Sequence, residues 1–241
     1  MKALLLNSGI GKRMGNFTKN ACKCMVDLGE GITIISNQLT LLSKLGVKDV
    51  CITTGPFADQ LEQYVCTKFP DMNFVFVHNP RFSETNYIYS IYLAREVLHD
   101  DIIMMHGDLV FEETVLSQIL GSPRSVVAVD SGIPLPEKDF KACTLGDRVA
   151  KIGVNFFENS VASQPLYQLK QSDWEIWLQE IIRFCEAGQT NVYAEEAFNA
   201  ISSSMQLYPL DIVGHLCREI DNPEDLKEVQ KIYWKKENGG S

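Results

Sequence analysis

The chain has 241 residues, 45% of them hydrophobic and 22% charged, which is the balance of an ordinary globular protein with room for one large domain. The formal net charge of −9 argues against a binder of duplex nucleic acid, because neutralising phosphates requires a basic face. No apolar run is long enough to span a bilayer, no signal-peptide pattern follows Met1, and the seven cysteines lack zinc-site spacing, so we expect a cytoplasmic protein with reduced thiols.

Short apolar strands and amphipathic helices alternate through the first half of the chain. The hydrophobic pattern predicts strands at residues 2–7, 49–54, 73–78, 101–106 and 125–130. Helices are predicted at residues 33–46, 57–68, 87–98 and 112–120. This alternation predicts an α/β fold, with a mainly parallel, Rossmann-like twisted sheet flanked by helices. Ligands bind at the carboxyl ends of such strands, so residues 7–15 and 106–108 should share one rim.

The pattern changes after Asp130, where turns and short strands become more frequent through residue 170. Beyond that point we predict helices at 173–187 and 194–203, a strand-like segment around 206–220 and a helix near 223–236. We interpret the chain as a single domain, residues 1–241. It consists of a nucleotide-binding core at 1–130, a substrate-specific extension at 131–215, and a closing strand and helix at 216–236. Residues 237–241 should form a frayed tail.

A glycine-spaced loop with two adjacent cations, Lys12 and Arg13, follows the first strand in LLLNSGIGKRMG, residues 4–15. A Rossmann dinucleotide site would need a third glycine and a second strand, whereas Met14 and then a helix follow. A Walker-type P-loop would need Gly-Lys-Ser/Thr, which Gly11-Lys12-Arg13 does not supply. Two interpretations stay open at this level: an anion site, and an ordinary glycine turn with solvated cations.

The longer stretch GIGKRMGNFTKNACKCMVDLGEGITII resembles the signature loop of the sugar-nucleotidyltransferase-like superfamily, G-x-G-x-R-M followed by P-K-x-L and a helix. The residues at matching positions are Gly9, Gly11, Arg13, Met14 and Lys23. Asn7-Ser8 replaces the usual Ala-Ala, and Cys22 replaces the usual proline. Glycines allow backbone N–H groups to approach phosphates, and Arg13 and Lys23 would neutralise their charge.

Four further segments resemble the bacterial choline-phosphate cytidylyltransferases and occur in the same order. They are NYIYSIYLAREVL at 86–98, MMHGDLVF at 104–111, YAEEAFN at 193–199 and CREIDNPEDLKEV at 217–229. The resemblance implies a fold of the nucleotide-diphospho-sugar transferase type with a substrate-specific insertion. Residues 131–170 show little recognisable resemblance to that family.

The same resemblance implies a Mg²⁺-dependent cytidylyltransferase. Such an enzyme would transfer CMP from CTP to a small phosphate or phosphonate acceptor of the phosphocholine, phosphoethanolamine or 2-aminoethylphosphonate type, and release pyrophosphate. Two alternatives are a sugar-1-phosphate nucleotidyltransferase and a catalytically silent nucleotide-binding regulatory module. We expect no nucleic-acid or membrane partner, while homo-oligomerisation stays open.

Nucleotidyl transfer needs charge neutralisation more than a general base, because the attacking phosphate oxygen is already ionised. The expected catalytic residues are Arg13, Lys23 and Asp108. Asp108 follows an apolar strand and a turn, and the resemblance places a second Mg²⁺ carboxylate at Asp221. Glu219 is the weaker candidate, because strand alternation would turn it to the opposite face. The expected nucleotide-binding residues are Asn7, Ser8, Gly9, Gly11, Lys12, Arg13, Lys23, Asn86, Ser90 and Asp108.

A trimethylammonium acceptor could be held only by aromatic faces and carboxylates, because it has no hydrogen-bond donors. The extension offers these residue types, and we predict acceptor contacts at Trp174, Tyr193, Glu195 and Glu196. The alternative is that Trp174 belongs to the core, as Trp177 should, and that the two glutamates open a helix at its favourable N-terminal end.

Overall fold

A twisted sheet forms the centre of the computed structural model, which describes residues 1–238. The strands are β1 Lys2–Asn7, β2 Asp49–Thr54, β3 Asn73–His78, β4 Ile102–His106, β5 Leu109–Phe111, β6 Val126–Asp130, β7 Lys141–Leu145, β8 Arg148–Gly153, β9 Ser160–Leu169, β10 Tyr208–Asp211 and β11 Cys217–Glu219. The helices are α1 Ile34–Lys44, α2 Ala58–Lys68, α3 Tyr87–Ala94, α4 Glu113–Leu120, α5 Gln171–Glu186, α6 Ala194–Ile201 and α7 Pro223–Asn238. Short 3₁₀ segments cover Lys12–Thr18, Lys23–Met25 and Arg95–Val97.

The sheet is mixed and mostly parallel. Its strand order is β10-β6-β9-β4-β1-β2-β3. β1 pairs in parallel with β2 and β4, β2 pairs in parallel with β3, and β6 pairs in parallel with β10. The predicted α/β class with a mainly parallel sheet is confirmed, and the strands at 49–54 and 73–78 have the predicted bounds.

Strand β9 comes from the extension after Asp130 and lies inside the central sheet. It is antiparallel to β4 on one side and to β6 on the other, and it also pairs with β7 of the β7–β8 hairpin. Gln164 and Pro165 interrupt the apolar pattern in the middle of this strand. Because proline and polar residues usually argue against a central strand, the sequence pattern did not indicate this position.

Both faces of the sheet are buried, as expected of a sheet covered by helices. Alternation along β1 sends Leu4 and Leu6 into one core layer and Ala3 and Leu5 into the other. Helices α3, α5 and α6 cover the first face, and α1, α2 and α4 cover the second. A third cluster joins α7 to the segment between β1 and α1.

The C-terminal region differs from its prediction in two places. The strand-like segment around 206–220 is two short strands, β10 and β11, with a turn at Gly214, where φ is 82°. Helix α7 continues to Asn238, past the predicted start of the tail, and residues 239–241 lie outside the described part of the chain. None of the helices described in residues 1–238 combines the length and apolar character that crossing a membrane requires.

Candidate active site

A cavity of about 430 Å³ opens at the carboxyl ends of β1 and β4. Its walls come from the glycine loop after β1, the turn after β4 and the segment that follows β11. The backbone N–H of Gly107 donates to the carbonyl of Leu6 at 3.1 Å and joins the turn after β4 to the end of β1. The prediction that the loop after the first strand and residues 106–108 share one rim is confirmed.

Two glycines make the close approach of these walls possible. Gly11 has a φ of 67°, and a Cβ at this position would lie 3.1 Å from the Cβ of Lys23. At Gly107 a Cβ would lie 1.8 Å from Oδ1 of Asn7. The glycine loop, the lysine and the turn after β4 therefore pack at distances that a side chain at either position would prevent.

The buried side chain of Met14 anchors the glycine loop. This side chain is fully buried against Leu226 and Val229 of α7, and its backbone N–H donates to the carbonyl of Gly11 at 3.0 Å. The neighbouring Lys12 and Arg13 are exposed to solvent. Burial of one loop residue thus fixes a loop whose cations remain at the surface.

At the centre of the cavity wall, the ammonium group of Lys23 lies between two carboxylates. Its Nζ is 2.6 Å from Oδ2 of Asp108 and 2.7 Å from Oδ1 of Asp221. The guanidinium of Arg13 contacts the same Asp221 oxygen at 2.9 Å. The structure therefore brings together the four residues that were predicted to supply the catalytic cations and the metal carboxylates.

Pairing between β5 and β11 brings Asp221 beside Asp108. Glu219 lies opposite Leu109 in this antiparallel ladder, and the N–H of Ile220 donates to the carbonyl of Asp108 at 3.0 Å. Residues two apart on an extended chain point to the same side, and both acidic side chains line the cavity. The expectation that Glu219 faces away is therefore wrong.

The charges of Lys23 and Asp108 stabilise each other. Burial acts to lower the pKa of Lys23, but the carboxylates of Asp108 and Asp221 outweigh it, and the pKa is raised. Burial acts to raise the pKa of Asp108, but the Lys23 ammonium outweighs it, and the pKa is lowered. Both groups are therefore charged at neutral pH.

His106 and Glu219 form a second polar pair near Asp108 in the cavity wall, with 3.0 Å between Nδ1 and Oε1. Burial acts to lower the pKa of His106, but the hydrogen bond and charge of Glu219 raise it to about 9. Burial, followed by the charge of Asp108, raises the pKa of Glu219 to about 7. Because both pKa values are raised, the pair holds a proton at neutral pH.

The acidic groups of this wall fit a hard divalent cation. Oδ1 of Asp108 is buried, and no hydrogen-bond partner for it occurs in residues 1–238. Ligand atoms of His106, Asp108 and Glu219 lie within 4.8 Å of one another, and Asp221 reaches the same Lys23 ammonium as Asp108. Mg²⁺ prefers one or two carboxylates together with water and substrate oxygens, which matches this donor set.

Most of the predicted nucleotide-binding residues line the cavity: Asn7, Ser8, Gly9, Gly11, Lys12, Arg13, Lys23, Asn86 and Asp108. Ser90 lies behind the wall, where its hydroxyl is 2.6 Å from that of Ser8 and accepts a hydrogen bond from Nδ2 of Asn79 at 3.0 Å. Asn86 also caps α3, since its Oδ1 accepts from the N–H of Tyr87. Ser90 therefore supports the wall and does not line it.

The predicted acceptor residues separate into different environments. Tyr193 lines the cavity, with 42% of its surface exposed. Trp174 is fully buried in the core, where its indole donates to the carbonyl of Leu98, so the expectation that it contacts an acceptor is wrong. Glu195 is buried and accepts hydrogen bonds from two tyrosine hydroxyls, and Glu196 is exposed outside the cavity. The amphipathic pattern of α5 places Trp174 inside, as it does Trp177.

Trp174→Ala should lower the free energy of unfolding by about 3–5 kcal/mol, because it leaves a large cavity and removes the hydrogen bond from the indole to the Leu98 carbonyl. Urea unfolding followed by circular dichroism measures the change. Ile176→Ala, on the exposed side of the same helix, is the control and should have a much smaller effect. A stable Trp174→Ala protein with altered acceptor preference would contradict the core assignment.

Several cavity residues had no sequence prediction. The aromatic side chains among them are Phe82, Tyr87 and Phe140, and the polar ones are Asn79, Thr85, Lys138 and Asp139. The Phe140 and Tyr193 rings are 5.0 Å apart, and those of Tyr87 and Tyr193 are 5.9 Å apart. Asn79 directly follows β3, so it could have been predicted from the tendency of ligands to bind at the carboxyl ends of parallel strands. Phe140 lies in a segment without a recognisable motif.

Comparison with known proteins places this geometry among nucleotidyltransferases. Residues 3–166 match the family model described as the MobA-like NTP transferase domain. The CMP-5'-(3-aminopropyl)phosphonate synthase of Streptomyces rubellomurinus is 30% identical over 56% of this chain, a match that spans only 21% of that longer protein. The choline-phosphate cytidylyltransferase of Streptococcus pneumoniae is 22% identical over 96% of this chain and 98% of its own.

Among solved structures, the inositol-1-phosphate CTP transferase from T. maritima superposes with a TM-score of 0.80 at 20% identity, covering 100% of this chain and 97% of the other. At this identity the match shows the fold alone. The predicted fold of the nucleotide-diphospho-sugar transferase type is thereby confirmed.

Proposed function

Because the chain belongs to the MobA-like NTP transferase domain family, we propose that it is a cytidylyltransferase that uses CTP and Mg²⁺. The reaction transfers CMP to a small phosphate or phosphonate acceptor and releases pyrophosphate. The observation that carries the proposal is the Lys23 ammonium, held between Asp108 and Asp221 beside the glycine loop. The names of the relatives support cytidine as the base and phosphate or phosphonate as the acceptor group.

In this reaction an acceptor oxygen attacks the α-phosphorus of CTP, the bond from that phosphorus to the bridging oxygen of the β-phosphate breaks, and pyrophosphate leaves. Backbone N–H groups of the glycine loop would cradle the triphosphate, and Lys23 would neutralise charge that develops during transfer. The Arg13 side chain is 71% exposed and can reach a bound phosphate by leaving Asp221. Asp108 and Asp221 would hold Mg²⁺, which when bound supplies a Lewis acid for phosphate oxygens.

The proposal is tested by a nucleotide and acceptor screen with pyrophosphate detection. CTP, UTP, GTP and ATP are each offered with phosphocholine, phosphoethanolamine, 2-aminoethylphosphonate, glycerol phosphate and sugar 1-phosphates. Cytidine-specific release with a phosphate or phosphonate acceptor supports the proposal. Preference for a sugar 1-phosphate would assign the chain to the alternative enzyme class, and binding without turnover would assign it to the silent nucleotide-binding class.

Removal of Mg²⁺ with a chelator should abolish pyrophosphate release, and added Mg²⁺ should restore it, because two carboxylates and a triphosphate need a divalent counterion. The measurement is the initial rate before and after chelation. Ca²⁺ serves as the control cation, since it accepts looser geometry and should restore little activity. Full activity in excess chelator would remove the metal from the proposal.

We propose that aromatic rings lining the cavity, and not the buried Trp174, contact the acceptor. Tyr193 and Phe140 meet there edge to face, and Tyr87 packs beside them. An exposed ring with neighbouring acidic groups favours a cationic acceptor such as phosphocholine or phosphoethanolamine. The carboxylate of Glu195 lies on the far side of Tyr87 and would act by holding that tyrosine.

Tyr193→Ala should weaken the preference for phosphocholine over glycerol phosphate by about 1–2 kcal/mol, or roughly five- to thirtyfold in the ratio of kcat/KM values. Competition between the two acceptors at fixed CTP measures this ratio. Tyr208→Ala, which removes a tyrosine stacked on Arg124 outside the cavity, is the matched control. An unchanged ratio in Tyr193→Ala would exclude this ring from acceptor recognition and leave the cytidylyltransferase proposal intact.

A further inference from the structure

Cys22 and Cys24 flank Lys23, and their sulfur atoms are 3.3 Å apart. Within residues 1–238 this is the one contact between two cysteine sulfurs, although the chain has seven cysteines. Both side chains are almost fully buried, at 3% and 1% exposure. Cys24 forms part of the cavity lining, and the Cys22 sulfur lies 3.3 Å from the Cys24 sulfur, outside the lining.

We propose that Cys22 and Cys24 are an oxidation site, at which a small hydroperoxide entering the cavity converts the two thiols to a disulfide that displaces Lys23. The pair stands next to the residue that joins Asp108 to Asp221. The effect on the enzyme rests on the proposed function, whereas disulfide formation does not.

The hydroperoxide is the only oxidant that disulfide formation requires. The Cys22 sulfur attacks the peroxide, the O–O bond breaks, and a sulfenic acid forms with release of one molecule of water or alcohol. The Cys24 sulfur then attacks the Cys22 sulfur, the S–S bond forms, and the sulfenic oxygen leaves as water. Two thiols are oxidised by two electrons and the peroxide is reduced.

The electrostatics of the pair favour this order of attack. The hydrogen bond from Cys24 lowers the pKa of Cys22, and burial raises the pKa of Cys24 well above its ordinary value. Because the thiolate is the nucleophile, Cys22 should react first. Cys24 is then in contact as the resolving thiol.

The geometry explains why a disulfide would disturb Lys23. The sulfur atoms must approach from 3.3 Å to about 2.05 Å, and the new bond closes a small ring through the Lys23 backbone. The Lys23 ammonium is held by two carboxylates, so its position depends on the present course of the backbone at residues 22–24. A shift of this backbone therefore moves the ammonium away from the phosphate site.

The test treats the purified chain, residues 1–241, with hydrogen peroxide, blocks the remaining thiols and maps the peptides. Trypsin cuts after Lys19, Lys23 and Lys44, so a disulfide either links the peptide 20–23 to the peptide 24–44 or leaves 20–44 uncut and two hydrogens lighter. We expect this species in the wild type and its loss after dithiothreitol. Blocked thiols or separate sulfinic acids at both positions would overturn the proposal.

The rate of pyrophosphate release is followed in the same samples, with each protein normalised to its own reduced form. Wild type should lose transfer activity by a factor on the order of a hundred and regain it with dithiothreitol, because the charge-stabilising lysine is displaced. Cys22→Ser and Cys24→Ser should resist, and Cys66→Ser, which removes an exposed thiol, should behave like wild type. Equal inactivation of all four proteins, or a disulfide that leaves the rate unchanged, would overturn the effect on Lys23. If no nucleotide is turned over, the proposed function fails while the peptide map still decides the thiol pair.

Discussion

Asp108→Asn is expected to keep the fold and to lose turnover by a factor on the order of a hundred or more. The substitution preserves shape, and the backbone of residue 108 stays fixed by the hydrogen bond from Ile220 to its carbonyl. It removes one of the two carboxylates that hold the Lys23 ammonium and would hold Mg²⁺. The substitution therefore changes the charge at the phosphate site and leaves the packing around residue 108 unchanged.

The measurement is kcat for pyrophosphate release at saturating CTP and Mg²⁺, together with the midpoint of thermal unfolding. Asp147→Asn, in the exposed turn of the β7–β8 hairpin, makes the same chemical change outside the cavity and should leave the rate near wild type. A folded Asp108→Asn protein with a wild-type rate would exclude Asp108 from the chemistry.

Those parts of the fold and site that depend on local pattern were predictable. Apolar runs bounded by turn residues gave β2 and β3 with their observed bounds, and the strand-end rule placed Asp108 on the same rim as the glycine loop. The position of Asp221 came from family resemblance. Nothing local in the sequence indicates that β11 pairs with β5, and this pairing is what brings Asp221 to Asp108.

The features that were missed depend on long-range packing. A tryptophan such as Trp174 is a suitable residue type for an acceptor site, but its position on α5 directs the side chain into the core. Residue type alone does not distinguish an acceptor contact from a core residue. Phe140 reaches the cavity because β7 pairs with β9, which lies inside the sheet despite Pro165. Glu219 reaches the cavity wall because β11 pairs with β5, which places Glu219 opposite Leu109.

Lys23→Ala and Lys23→Met should each lower kcat/KM for CTP by a factor on the order of a hundred or more, because both remove the ammonium that neutralises phosphate charge. The methionine variant keeps an apolar stem against Gly11, so agreement between the two variants assigns the loss to charge and not to packing. Lys12→Ala is the matched control: it removes an exposed cation from the same loop and should cost much less.

Without the ammonium, Asp108 and Asp221 lose the cation that contacts both carboxylates, so the Lys23 variants should also unfold at lower temperature. Rates are therefore compared well below the unfolding midpoint of each variant, with CTP varied at saturating acceptor and Mg²⁺. Arg13→Ala should fall between the other two positions, because its side chain is exposed and its ion pair is with Asp221 alone among the residues that the structure describes. Small and equal effects at Lys12, Arg13 and Lys23 would make the loop an ordinary glycine turn and would remove the observation on which the cytidylyltransferase proposal rests.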